Sequence, residues 1–259
     1  QVRPWNIDVV GQASGNFGAV DVYVLDAGVM SQDLNVVEEM NFMADTPTAL
    51  GVGHGYHVAG ILGAKDNAEG VVGIAPGARI HSFRVLDNAG LTMLSTVVTA
   101  VDEVISRKES NPQQPMVLLM SLGADIGTTS YNALDEAGEA AVAAGGVVVV
   151  AAGNEGIDAS TVTPAHAASA LTVGAVDAAQ QLAWFSNRGS TVDFVAPGVN
   201  ILSLSAVGAD GSLWLTSYDG TSMAAPHVAG AAVAYLQDHP GASPAAVRQA
   251  LLGAAVTAT

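Results

Sequence analysis

Apolar residues in this chain fall into short continuous runs that alternate with longer segments of helix-forming residues. The short runs have the composition of strands buried on both faces of a parallel sheet, and they are Val20–Leu25, Ile80–Val85, Met116–Ser121, Val147–Ala152 and Leu171–Val176. The longer segments predict helices over His57–Ala64, Leu94–Lys108, Tyr131–Ala144, Met223–Gln237 and Pro244–Leu252. This alternation predicts a doubly wound α/β fold, with a mostly parallel central sheet and helices on both faces.

The size and composition of the chain fit one domain. It has 259 residues, of which 50% are hydrophobic, enough to bury a large single core. We therefore expect residues 1–259 to form a single domain. No apolar run reaches the roughly 18 residues that a membrane-spanning helix needs. The first residues lack the layout of a signal peptide, so we expect a processed, mature form.

The charge and the cysteine count exclude several classes of function. The formal net charge is −16, so nucleic acid and anionic membrane surfaces would be repelled, and we expect neither as a partner. The acidic excess fits a solvated surface, and a salt-rich habitat is the alternative. The chain has no cysteine, which excludes disulfides, thiol catalysis and thiolate metal sites. Bound calcium is then the natural candidate for stabilising the fold outside a cell.

One serine stands at the start of a predicted helix. Ser222 lies within GTSMAAPHVAG, among small residues, and Pro226 suits the first turn of a helix. Helix N-termini have free backbone N–H groups and the positive end of the helix dipole, which favour the negative charge that develops in acyl transfer. The segment predicts an exposed nucleophile. An ordinary N-cap serine is the alternative.

Two further segments supply the groups that such a nucleophile needs. In VDVYVLDAG the predicted strand ends at Asp26, where a parallel strand delivers a side chain to its carboxyl edge. In GHGYHVAGILGA, His54 comes just before a helix that we expect to begin near His57. Taken alone, Asp26 could cap a turn and His54 could be structural. Together with Ser222 they form a candidate acid, base and nucleophile in the order Asp, His, Ser.

With these three motifs in this order, the chain resembles the subtilisin-like serine proteases, or subtilases, from about Pro4 to Leu252. The resemblance implies a subtilisin-like three-layer fold and a secreted serine endopeptidase. Such an enzyme hydrolyses peptide bonds through an acyl-enzyme intermediate and derives from a zymogen. It also implies a monomer whose partners are protein or peptide substrates, proteinaceous serine-protease inhibitors or the enzyme's own prosegment.

An oxyanion-stabilising group is predicted after the most hydrophobic strand. Asn154 in AAGNEG follows that strand directly and can supply a fixed amide donor. A turn asparagine is the alternative. The resemblance implies that the amide of Asn154 and the backbone N–H of Ser222 form the oxyanion hole.

The resemblance also implies how a peptide would be held. Two backbone segments would pair with an extended substrate, and they are Ser121, Leu122 and Gly123, and Gly90, Leu91 and Thr92. Small side chains would leave room for a large apolar or aromatic residue before the scissile bond, and these belong to Ala151, Ala152 and Gly153. An apolar pocket further upstream would be formed by Leu94, Val97 and Leu122, although core packing explains Val97 equally well.

A structural calcium site is the cofactor that the resemblance implies. Calcium accepts six to eight oxygen ligands, backbone carbonyls included. Carried over, the ligands would be the side chains of Gln1, Asp33 and Asn67 and the carbonyls of Lys65, Glu69 and Val71. The segment between Asp26 and Asp33 is two residues shorter than the common pattern, which bears on Asp33. A second cation site would use Asp193 with the carbonyls of Ala168 and Ala170.

The chain departs from the family pattern beside two of the reacting groups. Ala27 stands where Ser or Thr commonly follows the aspartate, and Tyr56 stands where HGTHVAG has Thr. A non-catalytic, subtilase-like binding or scaffold protein is therefore the competing hypothesis. A nucleotide site at Gly51–Gly55 is disfavoured because its spacing does not match GxGxxG. A lipase-like hydrolase is disfavoured because Ser222 lies in GTSMA rather than GxSxG.

Overall fold

A computed structural model describes residues 1–15, 17–49 and 51–256 of the chain. The helices in these ranges are α1 (Trp5–Val10), α2 (Gly53–Gly63), α3 (Leu94–Ser110), α4 (Ala133–Ala143), α5 (Thr221–Asp238) and α6 (Pro244–Ala254). The strands are β1 (Asp21–Asp26), β2 (Asn35–Asn41), β3 (Arg79–Arg84), β4 (Met116–Met120), β5 (Ala124–Asp125), β6 (Val147–Ala151), β7 (Val162–Thr163), β8 (Leu171–Val176), β9 (Phe194–Pro197), β10 (Ile201–Val207) and β11 (Leu213–Tyr218). Each strand and helix predicted from the sequence is present, with ends shifted by a few residues.

Seven of these strands form the central sheet, in the order β2-β3-β1-β4-β6-β8-β9. Each neighbouring pair in this order is parallel. All seven carboxyl ends therefore lie at the same edge of the sheet, where α/β folds place their sites. The segments that follow β1, β4 and β6 come together at this edge.

The sheet separates two apolar cores because successive side chains of a strand point to opposite faces. On β1, Val22 and Val24 belong to the core that contains side chains of α2 and α5. Tyr23 and Leu25 belong to the other core, with side chains of α3. The predicted three-layer α/β architecture is confirmed. Among the helices of the described ranges, none is long and apolar enough to cross a membrane.

Hydrophobic pattern alone missed the edge strands and the outlying sheets. β2 reads NVVEEMN and is only half-buried, so it lacks the continuous apolar run of the inner strands. β10 and β11 form an antiparallel pair outside the main sheet, and β11 is largely exposed. Such strands show a weak apolar signal because much of their surface faces solvent.

Two helices begin earlier than the sequence predicted, and both differences affect the site. α2 begins at Gly53 rather than near His57, so His54 lies within its first turn. α5 begins at Thr221 rather than Met223, so Ser222 is its second residue.

Candidate active site

Asp26 is the last residue of β1, and its side chain is completely buried. Its Oδ1 atom accepts a hydrogen bond of 2.7 Å from the backbone N–H of Ala27. Its Oδ2 atom is also buried and has no hydrogen-bond partner among the described residues. Only Oδ1 therefore holds the carboxylate in place, and its backbone donor is Ala27, where the chain departs from the family pattern.

His54 approaches Asp26 because the first turn of α2 comes very close to the end of β1. At Gly55, a Cβ atom would lie 2.3 Å from the carbonyl oxygen of Gly28, so only glycine fits there. His54 Nδ1 lies 2.8 Å from Asp26 Oδ1. This contact favours the tautomer with the proton on Nδ1 and leaves Nε2 free to act as a base.

The electrostatic environment of His54 reflects two opposing effects. Burial disfavours the charged imidazolium, but the negative charge of Asp26 and its hydrogen bond outweigh that cost. The pKa of His54 is consequently raised above its ordinary value. The pair therefore stabilises the imidazolium that forms when His54 accepts a proton.

Ser222 is held by a reciprocal pair of hydrogen bonds. Its Oγ donates to the carbonyl of Ser121 at 3.0 Å, and Ser121 Oγ donates to the carbonyl of Ser222, also at 3.0 Å. Pro226 is the sixth residue of α5, which corrects its predicted place in the first turn. A proline there has no N–H for the Ser222 carbonyl, and the Ser121 hydroxyl replaces it. Ser222 and His54 line the same cleft.

Asn154 has the arrangement expected of an oxyanion donor. Its Oδ1 accepts hydrogen bonds from the backbone N–H of Thr221 at 2.8 Å and from Thr221 Oγ1 at 3.0 Å. With the oxygen engaged, the amide Nδ2 remains as a donor towards the cleft. Thr221 is completely buried and also accepts from the backbone N–H of Gly153 at 3.1 Å. This positioning role was not predicted from the sequence, although a hydroxyl directly before the nucleophile was the available signal.

These groups open into a cleft of about 820 Å³, which is lined by His54, Asn154 and Ser222. Both predicted substrate segments and the predicted upstream pocket also line it, namely Gly90, Leu91, Thr92, Leu94, Val97, Ser121, Leu122 and Gly123. Further residues line the cleft that were not predicted from the sequence, among them Leu134, Thr163 and Tyr218.

The predicted lining role of three small residues stays a prediction. Ala151 and Ala152 are 3% and 0% exposed, so little of either residue reaches the surface. At Gly153, a Cβ atom would lie 2.3 Å from the side chain of Asn187, so a larger residue would not fit there. Gly123, Ala124 and Thr163 are among the residues that line the cleft.

The six residues predicted to bind calcium form contacts with one another. Gln1 Nε2 donates to the carbonyls of Lys65 at 2.7 Å and Val71 at 3.3 Å. Asn67 Nδ2 donates to Asp33 Oδ1 at 2.6 Å, and Asn67 Oδ1 accepts from the N–H of Glu69 at 2.7 Å.

One carboxylate oxygen of this cluster takes no part in these contacts. Asp33 Oδ2 is buried and has no hydrogen-bond partner among the described residues, and burial raises the pKa of Asp33. Three side-chain amide or carboxylate groups, of which Asp33 carries the orphaned oxygen, and three carbonyls are a donor set that suits calcium.

The prediction of a second cation site is wrong, because a guanidinium group occupies that position. Arg248 Nη1 donates to Asp193 Oδ1, while Nη2 donates to the carbonyls of Ala168 at 3.1 Å and Ala170 at 2.6 Å. These are the three groups that the sequence analysis assigned to a cation. Arg248 therefore supplies the positive charge from within the chain.

His54 contacts Asp26 and lines the same cleft as Ser222, and the chain order Asp, His, Ser is one that serine hydrolases with a catalytic triad use. The model of the subtilase family matches residues 20–259, and the chain belongs to this family.

Individual relatives agree with this assignment. Subtilisin from Bacillus pumilus is 41% identical over 239 residues, covering 90% of this chain and 82% of the relative. Subtilisin E from Bacillus subtilis (strain 168) is also 41% identical over 239 residues, covering 90% of this chain but only 59% of the relative. The crystal structure of a cold adapted subtilisin-like serine proteinase matches with a TM-score of 0.82 and 33% identity, over 96% of this chain and 90% of that chain. The chain is thus a serine-type endopeptidase of the subtilisin type.

Proposed function

We propose that this chain is the catalytic domain of a secreted endopeptidase that cleaves proteins through an acyl-enzyme intermediate. The observation that carries the proposal is the 2.8 Å contact between His54 Nδ1 and the buried carboxylate of Asp26, at the cleft that Ser222 also lines. Secretion is proposed from the family resemblance. The same resemblance suggests a monomer, with proteinaceous inhibitors or a prosegment as partners besides substrate.

The proposed reaction has two acyl-transfer steps. In the first, Ser222 Oγ attacks the peptide carbonyl carbon while His54 Nε2 accepts the hydroxyl proton. The carbonyl oxygen becomes an oxyanion, to which Asn154 Nδ2 and the backbone N–H of Ser222 donate. The C–N bond then breaks, and His54 returns the proton to the leaving amine.

In the second step, water replaces the amine. His54 accepts a proton from water as the water oxygen attacks the ester carbonyl, and the oxyanion forms against the same donors. When the ester C–O bond breaks, His54 returns the proton to Ser222 Oγ. The products are two shorter peptides and the regenerated enzyme. Asp26 remains a carboxylate throughout and stabilises the imidazolium.

Broad specificity is proposed, with a preference for a large apolar or aromatic residue before the scissile bond. Two backbone segments at the cleft can hydrogen-bond an extended peptide without regard to its sequence. Apolar side chains provide the selective surface, and those that line the cleft include Leu94, Val97, Leu122 and Leu134.

We also propose one structural calcium ion. Its ligands would come from Gln1, Asp33, Lys65, Asn67, Glu69 and Val71, whose contacts bring them together. When bound, the ion would supply positive charge to Asp33 and link segments that are far apart in the chain.

The test is hydrolysis of casein and of a peptide anilide with an aromatic residue before the scissile bond. We expect wild type to be active and Ser222→Ala to lose about 10⁶-fold in kcat, which is the scale known for loss of this nucleophile in subtilisin. Ser110→Ala is the matched control, because this exposed serine only donates to the carbonyl of Ser106. The control should match wild type. A serine-directed phosphonate should label wild type and not Ser222→Ala.

The opposite outcome is equally clear. A folded wild type that hydrolyses neither substrate between pH 6 and 10 with calcium, and that no phosphonate labels, would establish the scaffold hypothesis.

A further inference from the structure

The loop that leads into the His54 helix is held by one side chain, Asn88, which also lines the cleft. This loop connects β2 to α2, and most of its described residues are exposed or half-buried. Asn88, which follows β3, directs its whole amide group at the loop. Its Nδ2 donates to Asp45 Oδ2 at 2.8 Å and to the carbonyl of Thr46 at 2.9 Å. Its Oδ1 accepts from Thr48 N at 3.0 Å and Thr48 Oγ1 at 3.2 Å.

These contacts use both donors and both acceptor positions of the amide. The loop also approaches Asn88 so closely at Gly51 that no side chain would fit at that position. At Gly51 a Cβ atom would lie 2.0 Å from Asn88 Oδ1. Gly51 N–H donates to Thr48 Oγ1 at 3.0 Å, which extends the contact to within three residues of His54.

Asp45 anchors the same contact to the sheet. Its Oδ2 accepts from Arg84 Nη2 at 2.8 Å, and its carbonyl accepts from Arg84 Nη1 at 3.0 Å. Arg84 is 4% exposed and ends β3, directly beside Asp26 in the parallel register. The guanidinium group, through its hydrogen bond, holds the pKa of Asp45 below its ordinary range. The carboxylate of Asp45 therefore stays charged, and its charge-assisted hydrogen bond joins it to Arg84 at the buried end of β3.

On its other side, Asn88 belongs to the turn that leads to the substrate segment. Asp87 Oδ1 accepts from the N–H groups of Ala89 at 2.8 Å and Leu91 at 2.9 Å. Asp87 N–H in turn donates to the carbonyl of Leu91 at 2.9 Å. Asn88 thus connects a turn of fixed geometry, which carries Gly90, Leu91 and Thr92, to the loop that carries Gly51.

We infer that Asn88 is a positioning residue, which sets the distance between the substrate segment Gly90–Thr92 and the loop before His54. Asn88, Gly51 and His54 line the same cleft. The contact between Asn88 and the loop determines how well the enzyme holds the substrate residues further upstream of the scissile bond. The inference rests on the proposed peptidase function. Asn88 acts on the bound peptide through these two segments and does not touch the reacting atoms.

The experiment compares long and short substrates. A tetrapeptide anilide reaches the Gly90–Thr92 segment, whereas an N-acetyl amino-acid ester with the same residue before the scissile bond does not. For Asn88→Ala, we expect kcat/KM on the tetrapeptide to fall about tenfold, mainly through KM, with the ester changed by less than about twofold. Asn35→Ala is the matched control, because Asn35 also joins two segments, through the carbonyl of Gly77, but outside the cleft.

A second variant tests the same contact from the loop. Thr48→Val removes the hydroxyl that bonds Asn88 and Gly51, at an exposed position that folding tolerates. If the two residues form one unit, the double variant loses little more than the worse single variant. Equal losses on tetrapeptide and ester, or additive losses in the double variant, would overturn the inference. If wild type neither hydrolyses the ester nor reacts with the phosphonate, the proposed function itself is contradicted.

Discussion

Asp26 carries the charge that orients the base, and Ala27 gives that charge only a backbone donor. Asp26 Oδ1 has two partners, the N–H of Ala27 and His54 Nδ1, whereas the buried Oδ2 has none among the described residues. An unshared carboxylate charge attracts the imidazolium more strongly than one that is spread over further donors. The raised pKa of His54 agrees with this arrangement.

A pH profile tests this relation. Activity requires neutral His54, so kcat/KM should rise as pH increases through the raised pKa. In Ala27→Ser, a hydroxyl that donates to Asp26 Oδ2 should weaken the hold on the imidazolium. We therefore expect the midpoint of the acidic limb to move to lower pH, by roughly half a unit. Ala27→Gly adds no donor and serves as the control. A midpoint that stays in place in Ala27→Ser would show that Oδ2 does not influence the base.

At the scale of elements, Arg248 joins α6 to the segments before β8 and β9. Arg248 of α6 bonds Asp193 and two carbonyls of the segment before β8. Burial raises the pKa of Asp193, although Arg248 acts in the opposite direction. The ion pair is mostly shielded from solvent, with side-chain exposures of 22% and 18%. Its removal would leave a carboxylate and two carbonyls without their shared donor.

We expect Arg248→Ala to lower the free energy of unfolding by about 2 kcal/mol, because three acceptors lose a charged partner. Urea denaturation measures this change. Arg3→Ala is the control, since its pair with Asp8 is exposed, at 48% and 67%, and should contribute less than about 1 kcal/mol. Equal midpoints for Arg248→Ala and wild type would exclude a fastening role for Arg248.

At the scale of the whole molecule, the proposed calcium ion links the start of the chain to the loop after α2. Gln1 and Asp33 contact residues 65–71 from distant parts of the sequence. A ligand that binds only the folded state stabilises it by mass action, by about 2.7 kcal/mol at a hundredfold excess over Kd. For a domain of this size, that corresponds to a rise in Tm of roughly 5–10 °C.

Thermal unfolding in calcium and in chelator tests this prediction. Wild type should melt about 5–10 °C higher in calcium, whereas Asp33→Asn should respond much less because it lacks the orphaned carboxylate oxygen. Magnesium is the control cation, since it prefers a smaller octahedral site with its own waters. Identical melting of wild type in calcium and in chelator would contradict the proposed site.

Much of the fold, and a candidate triad, could be predicted because their signals are local. Buried parallel strands are continuous apolar runs, so the inner strands were visible, whereas the half-exposed β2 and β11 were not. Ser222, His54 and Asp26 stood out because each lies in a short motif at the end of a strand or the start of a helix. The start of α2 was placed too late, since the close approach at Gly55 to Gly28 depends on a distant segment.

The sequence by itself determined the α/β class, the family and the candidates for the reacting groups, since motif and periodicity are properties of neighbouring residues. Tertiary structure decided which distant residues serve them. Ser121 and Ser222 exchange hydrogen bonds across 101 positions, and Arg248 reaches the carbonyl of Ala168 across 80 positions. Asn88 bonds a loop some 40 positions away. Such partners are chosen by the packing of the sheet and helices, which places side chains together without any pattern in the local sequence.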